Sequence, residues 1–212
     1  NQHITADEIC EIAGILNGTT NYILTKMDKE GADFQTVLAQ AQELGYAERN
    51  PSADIEGFDA VRKIAILASL AYGKSVDFED VYTEGITNIT DIDFKYAAAM
   101  GKSIKLLGKC KKEANGIVAS VTPRLLSPSH PLFNVEGVVN GILVRGNMVG
   151  DLVFIGSGAG KLPTASAVVS DVVDAVRHLN IPVTVIWDKE KLELLEFGKS
   201  RKSFFVRVEG DE

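Results

Sequence analysis

Residues 104–123 have the sequence IKLLGKCKKEANGIVASVTP, in which two β-branched, apolar runs cover Ile104 to Cys110 and Gly116 to Pro123. Asn115-Gly116 separates them, and such a pair between two runs marks a turn between strands. Two further runs of the same kind follow: Gly137 to Arg145 and Leu152 to Ile155. The pattern predicts a series of neighbouring strands joined by turns.

Helical patterns lie on both sides of this β-rich part. Before it, after a first predicted strand, apolar residues recur at intervals of three and four. The predicted elements are a strand at Glu8 to Leu16 and helices at Thr19 to Lys29, Phe34 to Leu44, Ala53 to Ala71, Thr90 to Met100 and Pro163 to Leu179. Gly45 is predicted to cap the C-terminus of the second of these helices. Strands that follow one another, instead of alternating with helices, predict an α+β fold. We expect a mixed, largely antiparallel sheet with helices packed on one face.

Two local features refine this prediction. The segment from Ala53 to Ala71 is apolar on nearly all sides after Lys63, which predicts a single helix buried in the core. Near the other end of the chain, Ile181 to Trp187 and Ser203 to Val208 are each predicted to form a strand, and the charged stretch between them resembles a linker.

The composition excludes several classes of protein. The 212 residues are 45% hydrophobic and 24% charged, with a net charge of −7. The acidic balance argues against a nucleic-acid-binding protein, and no apolar run approaches the ~20 residues that cross a bilayer. Cys10 and Cys110 lie far apart, without a metal-binding motif around them or the histidines, so we expect no metal site. Buried thiols in a reducing compartment, the cytoplasm, are the prediction.

The densest group of ionisable side chains lies in LGYAERNPSADIEGFDAVRK, residues 44–63. In a helix, Asp59 and Lys63 lie four residues apart on one face. One interpretation is an ordinary exposed ion pair, which would stabilise the helix by only ~0.3–0.5 kcal/mol. The other interpretation is a functional site, since charged groups beside a buried apolar helix are costly unless they are paired with opposite charges or take part in binding or catalysis. The lysine there would form a Schiff base, donate a proton or anchor a carboxylate.

Two glycine-containing segments are further candidates. GSGAGKLPTAS, residues 156–166, resembles phosphate-binding loops, but its spacing fits neither the Walker nor the Rossmann pattern. It predicts either a close backbone approach to an anionic or planar group or a tight strand-to-helix turn. GILNGTTNY, residues 14–22, predicts either a small-ligand site built from backbone N–H groups or a helix cap, of which the cap is more common.

Five motifs together resemble the catalytic and dimerisation portion of homoserine dehydrogenase. They occur in the family's order, and the resemblance spans residues 8–180. The motifs are GILNGTTNYIL at 14–24, LGYAE at 44–48, D-x-x-G-x-D-A-x-R-K at 54–63, EGI at 84–86 and GAGKLPTASAVVSD at 158–171. The family interconverts aspartate semialdehyde and homoserine on the route to threonine, methionine and isoleucine.

The resemblance implies roles for five residues. Glu48 and Asp59 would hold the substrate, and Lys63 would donate the proton during reduction. Gly45 and Gly160 would contact the nucleotide, NADP or NAD. In the family that nucleotide is bound mainly by an N-terminal Rossmann domain, which we expect to be absent from this chain, so the fragment alone is predicted to be inactive.

The resemblance also implies an organisation. We expect residues 1–187 to form the catalytic and dimerisation domain, 188–202 a linker, and 203–212 the truncated start of an ACT regulatory domain. A homodimer through the sheet, around Ile104 to Ile155, is the expected assembly, with a small-molecule substrate and neither a nucleic-acid nor a membrane partner. The alternatives are a non-catalytic dimerisation or ligand-binding module of the same fold and a lysine-dependent aldolase or lyase.

Overall fold

The computed structural model describes residues 4, 6–181, 188–200 and 202–208. Its strands are β1 (Ile9–Ile15), β2 (Lys74–Ser75), β3 (Tyr82–Thr83), β4 (Ser103–Glu113), β5 (Gly116–Leu126), β6 (Val139–Gly146), β7 (Gly150–Ser157) and β8 (Asp188–Lys191). Its α-helices are α1 (Gly18–Glu30), α2 (Phe34–Glu43), α3 (Ser52–Ile55), α4 (Phe58–Tyr72), α5 (Asp91–Ala99) and α6 (Lys161–Arg177).

Six strands form one sheet in the order β3-β5-β4-β1-β6-β7. All pairs are antiparallel except β3 with β5, and a small parallel pair joins β2 to β8. This mixed, largely antiparallel sheet confirms the predicted α+β class. Since β1 lies between β4 and β6, the strand that leads into α1 sits in the middle of the sheet, and its end is held from both sides.

The hairpin of β4 and β5 turns at Ala114-Asn115, with Glu113 opposite Gly116. Both strands are longer than predicted, because β4 continues beyond its apolar run through Lys111, Lys112 and Glu113, and β5 through Arg124, Leu125 and Leu126. Side chains of successive residues point to opposite faces, so the polar ones leave the core without ending the strand.

Helices cover one face of the sheet, as predicted. The main core there consists of apolar residues from β1, β4 and β5 against α1, α2, α4 and α5. A smaller apolar cluster forms on the opposite face, where Leu132 and Val135 from the loop before β6 pack on Leu107 and Leu143. The two clusters fix the sheet between them and hold the end of β1 rigid.

The predicted single helix over 53–71 is wrong, because the chain breaks at Gly57 into α3 and α4. Gly57 has φ 87°, and a Cβ there would lie 3.1 Å from Thr83 Cγ2. The close approach of the chain to β3 and β5 therefore requires glycine and a bend. The prediction of full burial is also wrong, since Ile66 is 51% and Leu70 36% exposed on the side of α4 that no described element covers.

The region after the sheet differs from expectation. Helix α6 forms close to its predicted bounds, but none of its residues is buried. Residues 188–200 fold back on the domain through β8 and the stacking of Phe197 on Tyr82, with ring centroids 4.1 Å apart. The predicted strand at Ser203 to Val208 is wrong, since no strand forms there. Most of the predicted strand at Ile181 to Trp187 lies outside the described residues, and the domain division stays a prediction.

None of the described helices combines the length and the apolarity that a membrane crossing requires.

Candidate functional site

The site is organised around Asn17, which lies where β1 ends and α1 begins. Its side-chain Oδ1 accepts a hydrogen bond from the backbone N–H of Thr20, at 2.9 Å, and so caps α1. The capping interpretation of GILNGTTNY is thereby confirmed. The amide nitrogen of the same side chain has a second task, since it donates to Asp54 Oδ1 at 2.7 Å and to Asp59 Oδ2 at 2.9 Å.

Lys63 joins this group from the first turns of α4. Its Nζ lies 2.7 Å from Asp59 Oδ2 and 3.0 Å from the carbonyl oxygen of Leu16. The lysine side chain is 47% exposed. An ammonium has three N–H donors, and these contacts use two of them, which leaves one for a ligand.

Asp54 completes a cluster of three charged groups and one amide. Burial raises the pKa of Asp54, and the negative charges of Asp59 and Glu48 raise it further, against the opposing effects of the Asn17 amide and Lys63. This carboxyl is therefore a group whose protonation responds to what binds beside it. Sequence patterns assign Asp54 no role, although it lies in the D-x-x-G-x-D stretch, because only the fold turns it towards Asn17.

The loop that contains Glu48 is attached to the same helix end. Thr19 Oγ1 donates to the carbonyl oxygen of Tyr46 at 2.6 Å, and the rings of Tyr22 and Tyr46 are 5.1 Å apart. Gln42 Nε2 donates to the Glu48 carbonyl oxygen at 3.0 Å. The Glu48 side chain itself is exposed, at the side of the cluster where it affects Asp54.

Gly45 begins this loop as the glycine of a Schellman motif. The N–H of Gly45 donates to the Gln42 carbonyl oxygen at 3.1 Å, and the N–H of Tyr46 donates to the Ala41 carbonyl oxygen at 2.8 Å. With φ 75° and no atom within 4 Å of an added Cβ, its backbone faces open space. The predicted C-terminal cap of α2 is confirmed, and the position is accessible to a ligand.

Gly160 lies at the start of α6, shortly after β7. It adopts φ 113° and ψ 156°, a backbone conformation that residues other than glycine rarely adopt. No hydrogen bond or ion pair within the described residues links it to Lys63. The structure thus brings Glu48, Asp59 and Lys63 together and places Gly45 at the start of the Glu48 loop. Gly160 follows the end of β7, which lies at the same end of the sheet as the end of β1.

A half-exposed ammonium, held by the Asp59 carboxylate and a backbone carbonyl beside a second carboxylate, can bind a small polar molecule and supply a proton or positive charge to it. In the part of the chain that is described, no three His, Cys, Asp or Glu side chains form a group that could hold a metal ion.

Comparison with known proteins identifies relatives of the whole region. A family model described as homoserine dehydrogenase matches residues 1–173. The protein named homoserine dehydrogenase from Synechocystis sp. is 51% identical over 179 residues, which cover 82% of this chain and 41% of that protein. The Bacillus subtilis protein of the same name is 45% identical over 181 residues, or 85% and 42%. The chain thus spans about two fifths of the length of these curated relatives.

Solved structures agree. The crystal structure of a homoserine dehydrogenase from Thiobacillus denitrificans superposes with a TM-score of 0.84 at 44% identity, covering 90% of this chain and 47% of that one. A hyperthermophilic archaeal homoserine dehydrogenase in complex with NADPH gives a TM-score of 0.68 at 34% identity, covering 82% and 49%.

Proposed function

This chain belongs to the homoserine dehydrogenase family, and on that premise we propose that it forms the catalytic and substrate-binding part of an NAD(P)-dependent enzyme. The reaction is the interconversion of L-aspartate 4-semialdehyde and L-homoserine, in the biosynthesis of threonine, methionine and isoleucine. The observation that supports this most directly is the Lys63 ammonium, which is fixed by Asp59 and a backbone carbonyl and still has one unused N–H.

Lys63 acts on the carbonyl oxygen of the substrate. Reduction of an aldehyde builds negative charge on that oxygen, and a positioned ammonium stabilises the charge and donates the proton. The two contacts of Nζ, at 2.7 and 3.0 Å, restrict the lysine rotamers and prepare the third N–H for the substrate. In the reverse direction the same nitrogen accepts the proton from the homoserine hydroxyl.

The carboxylates hold the other end of the substrate. Glu48 is exposed beside the cluster and suits the α-ammonium group of either amino acid. Asp59 uses Oδ2 for Lys63 and Asn17, so its second oxygen serves the substrate. We add Asp54 to this set, since burial keeps its pKa high and a bound ammonium would compensate the charge that burial disfavours.

The nicotinamide nucleotide supplies the hydride when it is bound. The residues of this chain fit a contact with it: Gly45 presents a backbone open to solvent, and Gly160 precedes the free N–H groups of α6, which suit phosphate oxygens. We propose that most of the nucleotide, NADP or NAD, is bound by a domain outside these residues, because the named relatives are more than twice as long.

A homodimer through the sheet is part of the proposal. The support is β7, an edge strand on which Phe154 is 55% and Ile155 60% exposed. Phe154→Asp is expected to shift a dimer to a monomer in sedimentation velocity, because a carboxylate in an apolar interface is costly. An unchanged sedimentation coefficient would place the interface elsewhere.

The free thiols of Cys10 and Cys110 support a cytoplasmic location. We also propose that residues 203–212 are the truncated start of a regulatory ACT domain.

The test uses a longer polypeptide in which these residues are joined to a nucleotide-binding domain of the family. Lys63→Ala is expected to lower kcat for semialdehyde reduction by about 10²–10⁴, the usual contribution of a positioned acid. Lys95→Ala is the matched control, since Lys95 forms an i,i+4 pair with Asp91 at 3.0 Å, just as Lys63 does with Asp59. We expect that control to keep full activity.

Lys95→Ala should lose only the ion pair, about 0.3–0.5 kcal/mol, and Lys63→Ala about 1 kcal/mol more, because it also loses the hydrogen bond to the Leu16 carbonyl oxygen. A near-normal kcat in Lys63→Ala would refute the role of the lysine. Turnover by the 212-residue chain alone would refute the need for a separate nucleotide-binding domain.

A further inference from the structure

A cationic pocket lies on the face of the sheet opposite α4, the helix that carries Lys63. It has a volume of about 190 Å³ and is formed where β4 and β5 meet Ser200, Lys202 and Ser203 of the C-terminal segment. Its charged lining is Lys109, Lys111, Glu113, Arg124 and Lys202. The strand residues face away from the helices, on the side of the sheet that carries the smaller apolar cluster.

The positive charges in this pocket are not balanced by the described carboxylates. Lys109 pairs with Glu11 at 2.9 Å, and Glu113 accepts a hydrogen bond from Ser200 at 2.8 Å. Four cations against these two carboxylates leave a net charge of +2. Within the described residues, Lys111 and Arg124 have no ion-pair partner.

Arg124 is the most informative of these residues. Its Nε is buried and has no hydrogen-bond partner among the described residues, and its terminal nitrogen donates only to Ser120 Oγ, at 3.2 Å. Burial lowers its pKa. A guanidinium held in this way, with most of its five donors unused, is costly unless an anion meets it.

Lys202 approaches from the other wall. Its ammonium donates to the Phe197 carbonyl oxygen and lies 3.3 Å from the centre of the Phe197 ring. Phe197 itself stacks on Tyr82, so this lysine is held in place by the fold. The two walls thus present a fixed guanidinium and a fixed ammonium to the same space, with hydroxyls of Ser120, Ser200 and Ser203 around it.

We propose that this pocket binds a tetrahedral oxyanion, inorganic phosphate or the phosphate group of a monoester. A dianion matches the net charge of +2, and guanidinium and ammonium donors suit phosphate oxygens. Because the lining comes from the hairpin and from Ser200, Lys202 and Ser203, the bound anion fastens the C-terminal segment to the sheet. The site is independent of the Lys63 cluster and of the dehydrogenase reaction.

The test is a titration of the 212-residue chain at pH 7 and constant ionic strength. Inorganic phosphate and glycerol phosphate are added in separate arms against sodium chloride, with binding followed by calorimetry and by amide NMR shifts. Saturable binding with shifts at residues 109–124 and 200–203 is expected. Tighter binding of the monoester would assign a phosphorylated metabolite, and tighter binding of phosphate the free ion.

Variants locate the binding. Arg124→Gln and Lys202→Gln are each expected to weaken it about tenfold or more, since a hydrogen bond to a charged group is lost. Lys95→Gln, an exposed lysine of α5, should change the affinity less than twofold. Lys202 lies outside the sheet, so its variant stays informative if Arg124→Gln fails to fold. Absence of saturable binding, or equal affinity in wild type and Lys202→Gln, would overturn the proposal.

Discussion

Replacement of Asn17 by alanine tests whether one side chain organises the candidate site. The change removes the cap of α1, which costs about 1 kcal/mol. It also removes the two hydrogen bonds to Asp54 and Asp59, worth about 1 kcal/mol each at a partly exposed position. The expected loss is about 3 kcal/mol, and at about 2–4 °C per kcal/mol for a chain of this size the melting temperature falls by about 6–12 °C.

Asn17→Asp separates the two tasks of this residue. Aspartate caps a helix as well as asparagine does, so the bond to the N–H of Thr20 is kept. The new carboxylate cannot donate, however, and it faces Asp54 and Asp59 as a third negative charge. The added charge raises the folded-state pKa of Asp54 further above the unfolded value of about 3.9. The variant is therefore least stable at pH 7 and approaches wild type as the pH falls below about 4.

Urea unfolding followed by circular dichroism, on the 212-residue chain at pH 7 and pH 3, measures both effects. At pH 7 we expect both variants to be destabilised, and at pH 3 only Asn17→Ala to remain so. If Asn17→Asp matched wild type within about 0.5 kcal/mol at pH 7, where such a difference is resolvable, the donor role of Asn17 would be refuted.

Two further perturbations test the fold and the cluster. Gly57→Ala should lower the free energy of unfolding by about 1–2 kcal/mol for the left-handed backbone, plus the cost of the contact with Thr83 at 3.1 Å. Gly31→Ala, with φ 64° and no neighbour within 4 Å, should cost the backbone strain alone. Equal unfolding midpoints for the two variants would contradict this. Burial raises the pKa of Asp54, so its charge lowers stability once the pH rises through the folded-state pKa. Asp54→Asn should therefore melt above wild type at pH 7 and not at pH 3, and no difference at pH 7 would argue against a buried carboxylate.

The sequence predicted the elements whose signals are local. The hairpin at Asn115-Gly116, the capping of α1 by Asn17 and the Schellman end of α2 at Gly45 depend on neighbouring residues, and all are present. Lys63 and Asp59 were paired by helical spacing alone, which the 2.7 Å contact confirms. The roles carried over from the family stay predictions.

Other features depend on residues distant in the sequence. The break at Gly57 follows from the passage of β3 and β5 against it, which no pattern around residue 57 reveals. The meeting of Asn17 with Asp54 joins positions 37 residues apart. The sequence does not predict the exposure of α6 either, because its apolar residues recur like those of a buried helix. Their burial depends on which surfaces the fold places against them.

Local sequence sets the order of the elements, the caps and turns between them, and the pairing of Asp59 with Lys63, because each depends on backbone preference and helical spacing within a few residues. Long-range packing sets the rest: Asn17 contacts two carboxylates beside that lysine, and Arg124 and Lys202 face one pocket. Such groups become partners through the packing of the sheet against its helices and C-terminal segment, and the energies of burial and charge that define a site exist only once that packing has removed water.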